Sequence, residues 1–326
     1  MIDQFKRLFS APGDTPGDAP EGTPVLPLDD VEHAYCSALL SAGEPLDAPL
    51  SDFEERVLGE VGALLASPEA ACEALPRLPD VLPRLMKSLR DERASWEEIA
   101  HVVGQDALLV AEVLRLANSP CFRAAARITC LEQVVMQLGL VGLREVVVTV
   151  SLKPIMQLDG GRYYRQAGRR VWSQALAAAV ACRSLAMSRQ ASRFEAYLAG
   201  LVHNVGMVLV VQALQGLAQD GETPRSVQFR ERIQPLVKRL SCLVARHWDL
   251  PALSVEALRE RAEPAAGAPS PLGGILQQGI QLSMLQGLID DGRLEDPAPY
   301  LRSLPEGDRH ACEQALSEIE AHARSL

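Results

Sequence analysis

Apolar residues recur at helical spacing along almost the whole chain. Val31, Tyr35, Leu39 and Leu40 share one helical face. Phe53, Val57, Val61, Leu64 and Leu65 share a second, which stops at Pro68. Leu78, Val81, Leu82, Leu85, Met86 and Leu89 form a third stripe. Ser95 with Glu98 predicts a capping box ahead of Ile99, Val102 and Val103, and Asp106 predicts a cap for the helix through Leu109, Val113 and Leu114. Thr129 with Glu132 predicts another box before Val135 and Leu138, with Gly139 ending that helix. Residues 146–150 are β-branched, but their flanks are helical and no partner strand is visible, so they predict a buried helix. Further helices are predicted over 170–187, 194–214, 233–246, 275–289 and 306–323, with loops over 157–170 and 263–271. The expected fold class is all-α, each helix covering its neighbours' apolar stripes.

Composition refines this picture. A hydrophobic fraction of 48% and a charged fraction of 23% exclude global disorder. Residues 11–30 hold five prolines and five acids, so residues 1–30 are expected to be a disordered acidic segment, followed by a helical extension over 31–74. The first ten residues place Ile2, Phe5, Leu8 and Phe9 on one possible helical face and do not read as a signal peptide. No stretch reads as a bilayer span; the closest, 197–214, carries His203, Asn204 and Gln212. The seven cysteines are odd in number and lack a Cys-x-x-Cys spacing, which favours buried thiols in a cytoplasmic protein over disulfides or a thiolate metal site.

Several separated motifs, in order, resemble the HDOD domain. They are Leu75-Pro-Arg-Leu-Pro79, Trp96-Glu-Glu-Ile-Ala100, Leu114-Arg-Leu-Ala-Asn-Ser119, Ile128-Thr-Cys-Leu-Glu-Gln133 and Leu138-Gly-Leu-Val-Gly-Leu-Arg144. In the second half, Trp172 sits in the expected helix, Ala199-Gly-Leu-Val-His-Asn-Val-Gly206 resembles the family's Leu-x-His-Asp-Ile-Gly box, and Trp248-Asp-Leu-Pro251 resembles its Trp-Gly-Leu-Pro turn. The resemblance implies a bacterial signalling domain related to HD phosphohydrolases, including HD-GYP cyclic-di-GMP phosphodiesterases. It implies two helical lobes, 75–155 and a degenerate HD lobe over 165–290; residues 291–326, beyond the resemblance, are expected to be a C-terminal helix.

Active HD enzymes hold a divalent metal on histidines and carboxylates, and the metal activates a water. Carried over by position, the resemblance implies that these ligands are lost here. His203 stands at the box histidine, but Asn204 replaces the Asp, Gln174 the upstream His and Ile280 the downstream Asp. Arg261 falls where a further His is expected. Gln174, His203, Asn204 and Arg261 would then line a vestigial pocket, with no metal, no cofactor and no catalytic residue. On the first lobe, Asp106, Arg115, Asn118 and Ser119 are expected to form a polar helix-end network, either a clamp toward a partner or a tie for the loop through Phe122.

The net charge of −10 is uneven. Residues 1–74 carry 3 basic and 15 acidic residues, a net of −12, whereas residues 75–326 carry 29 and 27, a net of +2. Within 144–193 nine basic residues face only Glu145 and Asp159, a net of +7. Arg162, Arg165, Arg169 and Arg170 are therefore a candidate interaction or anion surface, open to a signalling partner protein, to the chain's own acidic N-terminal segment or to a nucleotide. Low aromatic content, at 4%, argues against nucleic acid. The expected function is non-enzymatic signal transduction by regulated protein–protein interaction. The alternatives are a cyclic-dinucleotide or other nucleotide sensor and a residual metal-dependent phosphodiesterase.

Overall fold

The structure, a computed structural model, describes residues 28–40, 46–75, 95–119, 122, 126–157, 167–219, 222–265, 267–294 and 296–323. The stripe over 78–89, the segment 1–27, Arg162 and Arg165 lie outside the described residues. The described residues are helical without a strand, and their isolated β-bridge joins Leu46 to Ser226. The N-terminal helices are α1 (Leu28–Leu39), α2 (Asp52–Ala66) and α3 (Pro68–Ala74). The first lobe follows with α4 (Trp96–Gly104), α5 (Ala107–Ala117) and α6 (Leu131–Met156). The second contains α7 (Arg169–Ser188), α8 (Arg193–Val202), α9 (Gly206–Leu217), α10 (Val227–His247), α11 (Ala252–Ala262) and α12 (Pro271–Asp290). The chain closes with α13 (Ala298–Ser303) and α14 (Glu306–Ala323).

Local chemistry explains several helix starts. Asp106 accepts from the amides of Leu108 at 2.9 Å and Leu109 at 3.2 Å. Ser95 accepts from Glu98 N, although only that half of its predicted box forms. A full box occurs at Ser51 and Glu54, which carry the same Ser-x-x-Glu spacing. The predicted Thr129 box is corrected: Cys130 is the N-cap, without a side-chain cap bond, while Gln133 Oε1 accepts from both Thr129 N and Thr129 Oγ1. Gln133 thus takes the role expected of Glu132. Gly139 interrupts α6 with φ 72° and ψ 177°, a region essentially reserved for glycine. Gly139→Ala should therefore cost about 1–3 kcal/mol, measured by urea unfolding. After Gly139 the helix resumes, and the β-branched run lies inside it, with Val146, Val147 and Val148 fully buried.

The alanine-rich α7 is the central helix, and α8, α12 and α14 pack along it. Small residues permit this approach. A Cβ on Gly200 would lie 2.7 Å from Ala178 O, and one on Gly279 would collide with Cys182 Sγ. The N-terminal helices are integral to this core: α2 packs on α9 and α10, and α1 on α10 and α12. Glu54 fastens the layer, accepting from Ser51 N and from Ser226 N at 2.8 Å each.

Two parts of the sequence reading change. The helix predicted over 194–214 is two helices, broken by a turn at residues 203–205. Gly206 enters so close to α10 that its amide donates to Ser241 Oγ at 2.9 Å rather than to a preceding turn. In addition, the stretches Leu131–Met156 and Arg193–Leu217 are long and apolar enough by composition to cross a membrane. Their most apolar windows are 61% and 94% buried inside the fold, which accounts for that character as core packing.

Candidate functional site: a closed polar cluster in the HD-like lobe

The turn between α8 and α9 presents His203 and Asn204 to α7. Asn204 Nδ2 donates to Gln174 Oε1 at 2.6 Å and to Val171 O at 3.2 Å. The His203 ring is fully buried, and its Nδ1 lies 2.6 Å from Gly200 O. A carbonyl can only accept, so Nδ1 carries the proton and Nε2 is left as an acceptor. Arg261 on α11 lies near enough for its charge to act on His203. Gln174 and Asn204 are thus joined directly, while His203, next to Asn204 in the turn, bonds Gly200 O and feels the charge of Arg261. Ile280 lies buried in α12.

Arg261 leads to a residue the sequence reading missed. Glu32 on α1 is 6% exposed, and its Oε1 lies 3.6 Å from Arg261 Nη2 while its Oε2 lies 2.7 Å from Lys238 Nζ. Tyr35, one turn on, donates its hydroxyl to Arg170 O at 3.3 Å. Helix α1 thus spans the cluster from α11 to the start of α7. Glu32→Ala leaves two cations facing a low-dielectric interior, and should cost about 2–4 kcal/mol in urea unfolding.

This donor set does not fit a hard divalent cation. Among the described residues no three His, Cys, Asp or Glu side chains converge as a metal-binding group. His203 is the one imidazole, Asn204 turns its amide nitrogen to Gln174, and a guanidinium stands nearby. Gln174 Nε2, His203 Nε2 and Asn204 Oδ1 make no hydrogen bond, so the cluster keeps polar lining without carboxylate charge.

Burial, reinforced by the charge of Arg261 and opposed by Gly200 O, lowers His203 from 6.5 to about 3. The folded state then binds fewer protons than the unfolded state between about pH 3 and pH 6.5. Stability therefore rises with pH across that window and falls on acidification, by up to about 1.4 kcal/mol per pH unit from this group. His203→Gln should flatten that slope when urea unfolding is compared between pH 4 and pH 7. An unchanged slope would remove His203 as its source.

On the first lobe, Asn118 ends α5 and holds the loop after it. Its Nδ2 donates to Leu114 O at 2.7 Å and Ile128 O at 2.8 Å, and its Oδ1 accepts from Ile128 N at 2.8 Å. This is the loop-tying arrangement. Arg115 is corrected: it pairs at 2.8 Å with Glu112 instead of joining Asn118, because an i,i+3 carboxylate lies in reach on the same exposed face. Ser119 Oγ makes no hydrogen bond, and Asp106 acts as a cap at the other end of α5. Asn118→Ala should cost about 2–3 kcal/mol by urea unfolding, since it strands the Ile128 backbone. An open groove of about 860 Å³ adjoins this network, lined by Leu114, Arg115, Asn118, Arg127 and Thr129 among others.

The Arg-rich stretch is not one surface. Arg144 is buried, and Arg183 lies between Glu145 at 3.4 Å and Glu318 at 3.3 Å. Arg189 meets Asp308 at 2.6 Å and Arg170 meets Asp291 at 3.1 Å. Arg169 is exposed, while Arg162 and Arg165 lie outside the described residues. A linear count of +7 fails because the neutralising acids come from 38 to 135 positions away in sequence or lie beyond the counted window. In the helical extension over 31–74, Glu32 pairs with Lys238 and Arg261.

The His-Asn turn between α8 and α9 and the Trp248-Asp249-Leu250-Pro251 turn belong to one all-α scaffold. Asp249 there adopts φ 54°, the left-handed conformation that explains the family's glycine and that Asp tolerates better than most residues. The HDOD domain model matches residues 75–264, and the chain belongs to the HDOD domain family. A crystal structure from Shewanella amazonensis SB2B, of a protein provisionally described as a phosphohydrolase, is similar at TM-score 0.58 and 21% identity, covering 80% of this chain and 98% of that one. An HDOD domain protein of unknown function from Geobacter sulfurreducens is similar at TM-score 0.56 and 19% identity, over 84% and 98% of the two chains. A protein from Marinobacter aquaeolei VT8, provisionally described as a signal transduction protein, is similar at TM-score 0.51 and 19% identity, over 82% and 67%. An uncharacterised Treponema pallidum protein is 24% identical over 209 residues, which are 60% of this chain and 39% of that protein's length.

Proposed function

We propose that this chain is a non-enzymatic bacterial signal-transduction protein of the cytoplasm, acting through regulated protein–protein interaction on an HD-like scaffold. The observation carrying this reading is the donor set: Gln174, Asn204 and Ile280 stand where the family resemblance places metal ligands, none of the three is a carboxylate or an imidazole, and Asn204 Nδ2 is bonded to Gln174 Oε1. Without a bridging metal the lobe has no means of activating a water against a phosphoester. A similar chain described as a signal transduction protein agrees with this role. The first lobe is the partner-binding side in this reading. It carries the groove beside Asn118, and Leu108 and Met136 are 80% and 83% exposed there.

Two measurements on the full chain test the proposal. Incubated with Mn²⁺ or Mg²⁺, it should not hydrolyse bis(p-nitrophenyl) phosphate or cyclic di-GMP above background. Turnover that disappears in His203→Ala would establish a residual enzyme instead. In cross-linking pull-downs, a specific partner should be retained by His203→Ala and lost from a Leu108→Asp, Met136→Asp double variant. The opposite pattern would place the interaction at the HD-like cluster.

A further inference from the structure

A second cavity, of about 240 Å³, lies where the two lobes and the C-terminal helix meet. It is lined by Phe122, Leu138, Glu145, Arg183, Met187, Arg193 and Glu318 among others. From its chemistry we infer that this cavity binds a free α-amino acid with an apolar side chain.

The lining charges are not equally available. Arg183 is spent, held between Glu145 Oε2 and Glu318 Oε2 with its guanidinium 5.8 Å from the Phe122 ring centre. Two functions remain. Arg193 is exposed at the first position of α8 and forms no ion pair within 4.0 Å among the described residues. Glu145 is 1% exposed, yet its Oε1 has no hydrogen-bond partner. A buried carboxylate oxygen left bare carries a desolvation cost that a ligand N–H would offset. The charge of Arg193 acts on Glu145, so the two lie near each other without closing into an ion pair.

The lining therefore combines a cation without an ion pair and a buried carboxyl with one unpartnered oxygen. An α-amino acid presents the complement, its carboxylate toward Arg193 and its ammonium toward Glu145. Phe122, Leu138 and the half-exposed Met187 supply an apolar wall for the side chain. The volume lies below the usual span for drug-sized ligands and suits so small a molecule. Such a ligand would join α6 to α8, and with them the two lobes. The inference is independent of the proposed signalling role.

The test is calorimetric titration of the full chain with L-leucine, L-methionine and L-phenylalanine, beside their N-acetyl and methyl-ester derivatives. At least one free amino acid should bind saturably, and both derivatives of it should fail, having lost one charge each. Arg193→Gln, at an exposed position, should weaken binding tenfold or more while cooperative thermal unfolding is retained. Equal binding of the N-acetyl form would mean recognition of a peptide C-terminus and would overturn the inference. So would unaltered binding in Arg193→Gln, or no binding of any free amino acid by the folded chain.

Discussion

A chain lacking residues 28–74 as well as the preceding segment should fail to fold. The deletion removes Val31, Tyr35, Leu39, Leu40, Phe53, Val57 and Val61, all of them buried. At about 1.5–3 kcal/mol for each buried apolar side chain, the loss approaches or exceeds the roughly 5–15 kcal/mol by which a domain is stable. It also bares the faces of α9, α10 and α12 that these helices cover, and leaves Lys238 and Arg261 without Glu32. Near-ultraviolet circular dichroism and urea titration distinguish the outcomes. A cooperative transition in the chain starting at residue 75 would show that α1 to α3 are dispensable. For the same reason a family-sized fragment over 75–264 is the wrong boundary for this protein.

Gly200→Ala should be nearly as damaging for the change of one methyl group. Its Cβ would lie 2.7 Å from Ala178 O and 2.8 Å from Ala179 Cα. Both are backbone atoms of a central helix, so relief requires α7 and α8 to separate. Overpacking of this kind costs about 3 kcal/mol or more when it moves buried backbone. Gly200 O also anchors the His203 ring, so the shift would carry into the polar cluster. Gly216→Ala is the control: a Cβ there meets nothing within 4 Å, and the position is helical and exposed. That substitution should stabilise by about 0.5–1 kcal/mol. Equal denaturation midpoints for the two variants would contradict the packing argument.

Helix packing and charge pairing were not equally legible in the sequence. Helical periodicity is a local property, so the Val31, Phe53 and 146–150 patterns translate directly into buried faces. The Asp106 cap is equally local. The turn at residues 203–205 was hidden because a fully buried helix and a buried turn are both apolar, and the deciding contact, Ser241 to Gly206, comes from α10. The polar cluster was legible through motif positions, yet Glu32 was not, because no short pattern announces an ion pair 206 residues distant. Charge was the least legible property. Arg183 looked like part of a basic surface and is an interior side chain, and the sequence hint was Glu145, a lone acid at the edge of a β-branched run.

The Glu145–Arg183–Glu318 contact also orders events during synthesis. Its members come from α6, α7 and α14, and Glu318 is made 135 residues after Arg183. A nascent chain short of that point holds Arg183 with a single carboxylate, and the apolar side of α7 that α14 covers is bare. Helix α14 acts as the keystone, and a chain cut just before it is predicted to be a better client for chaperones than one that includes it.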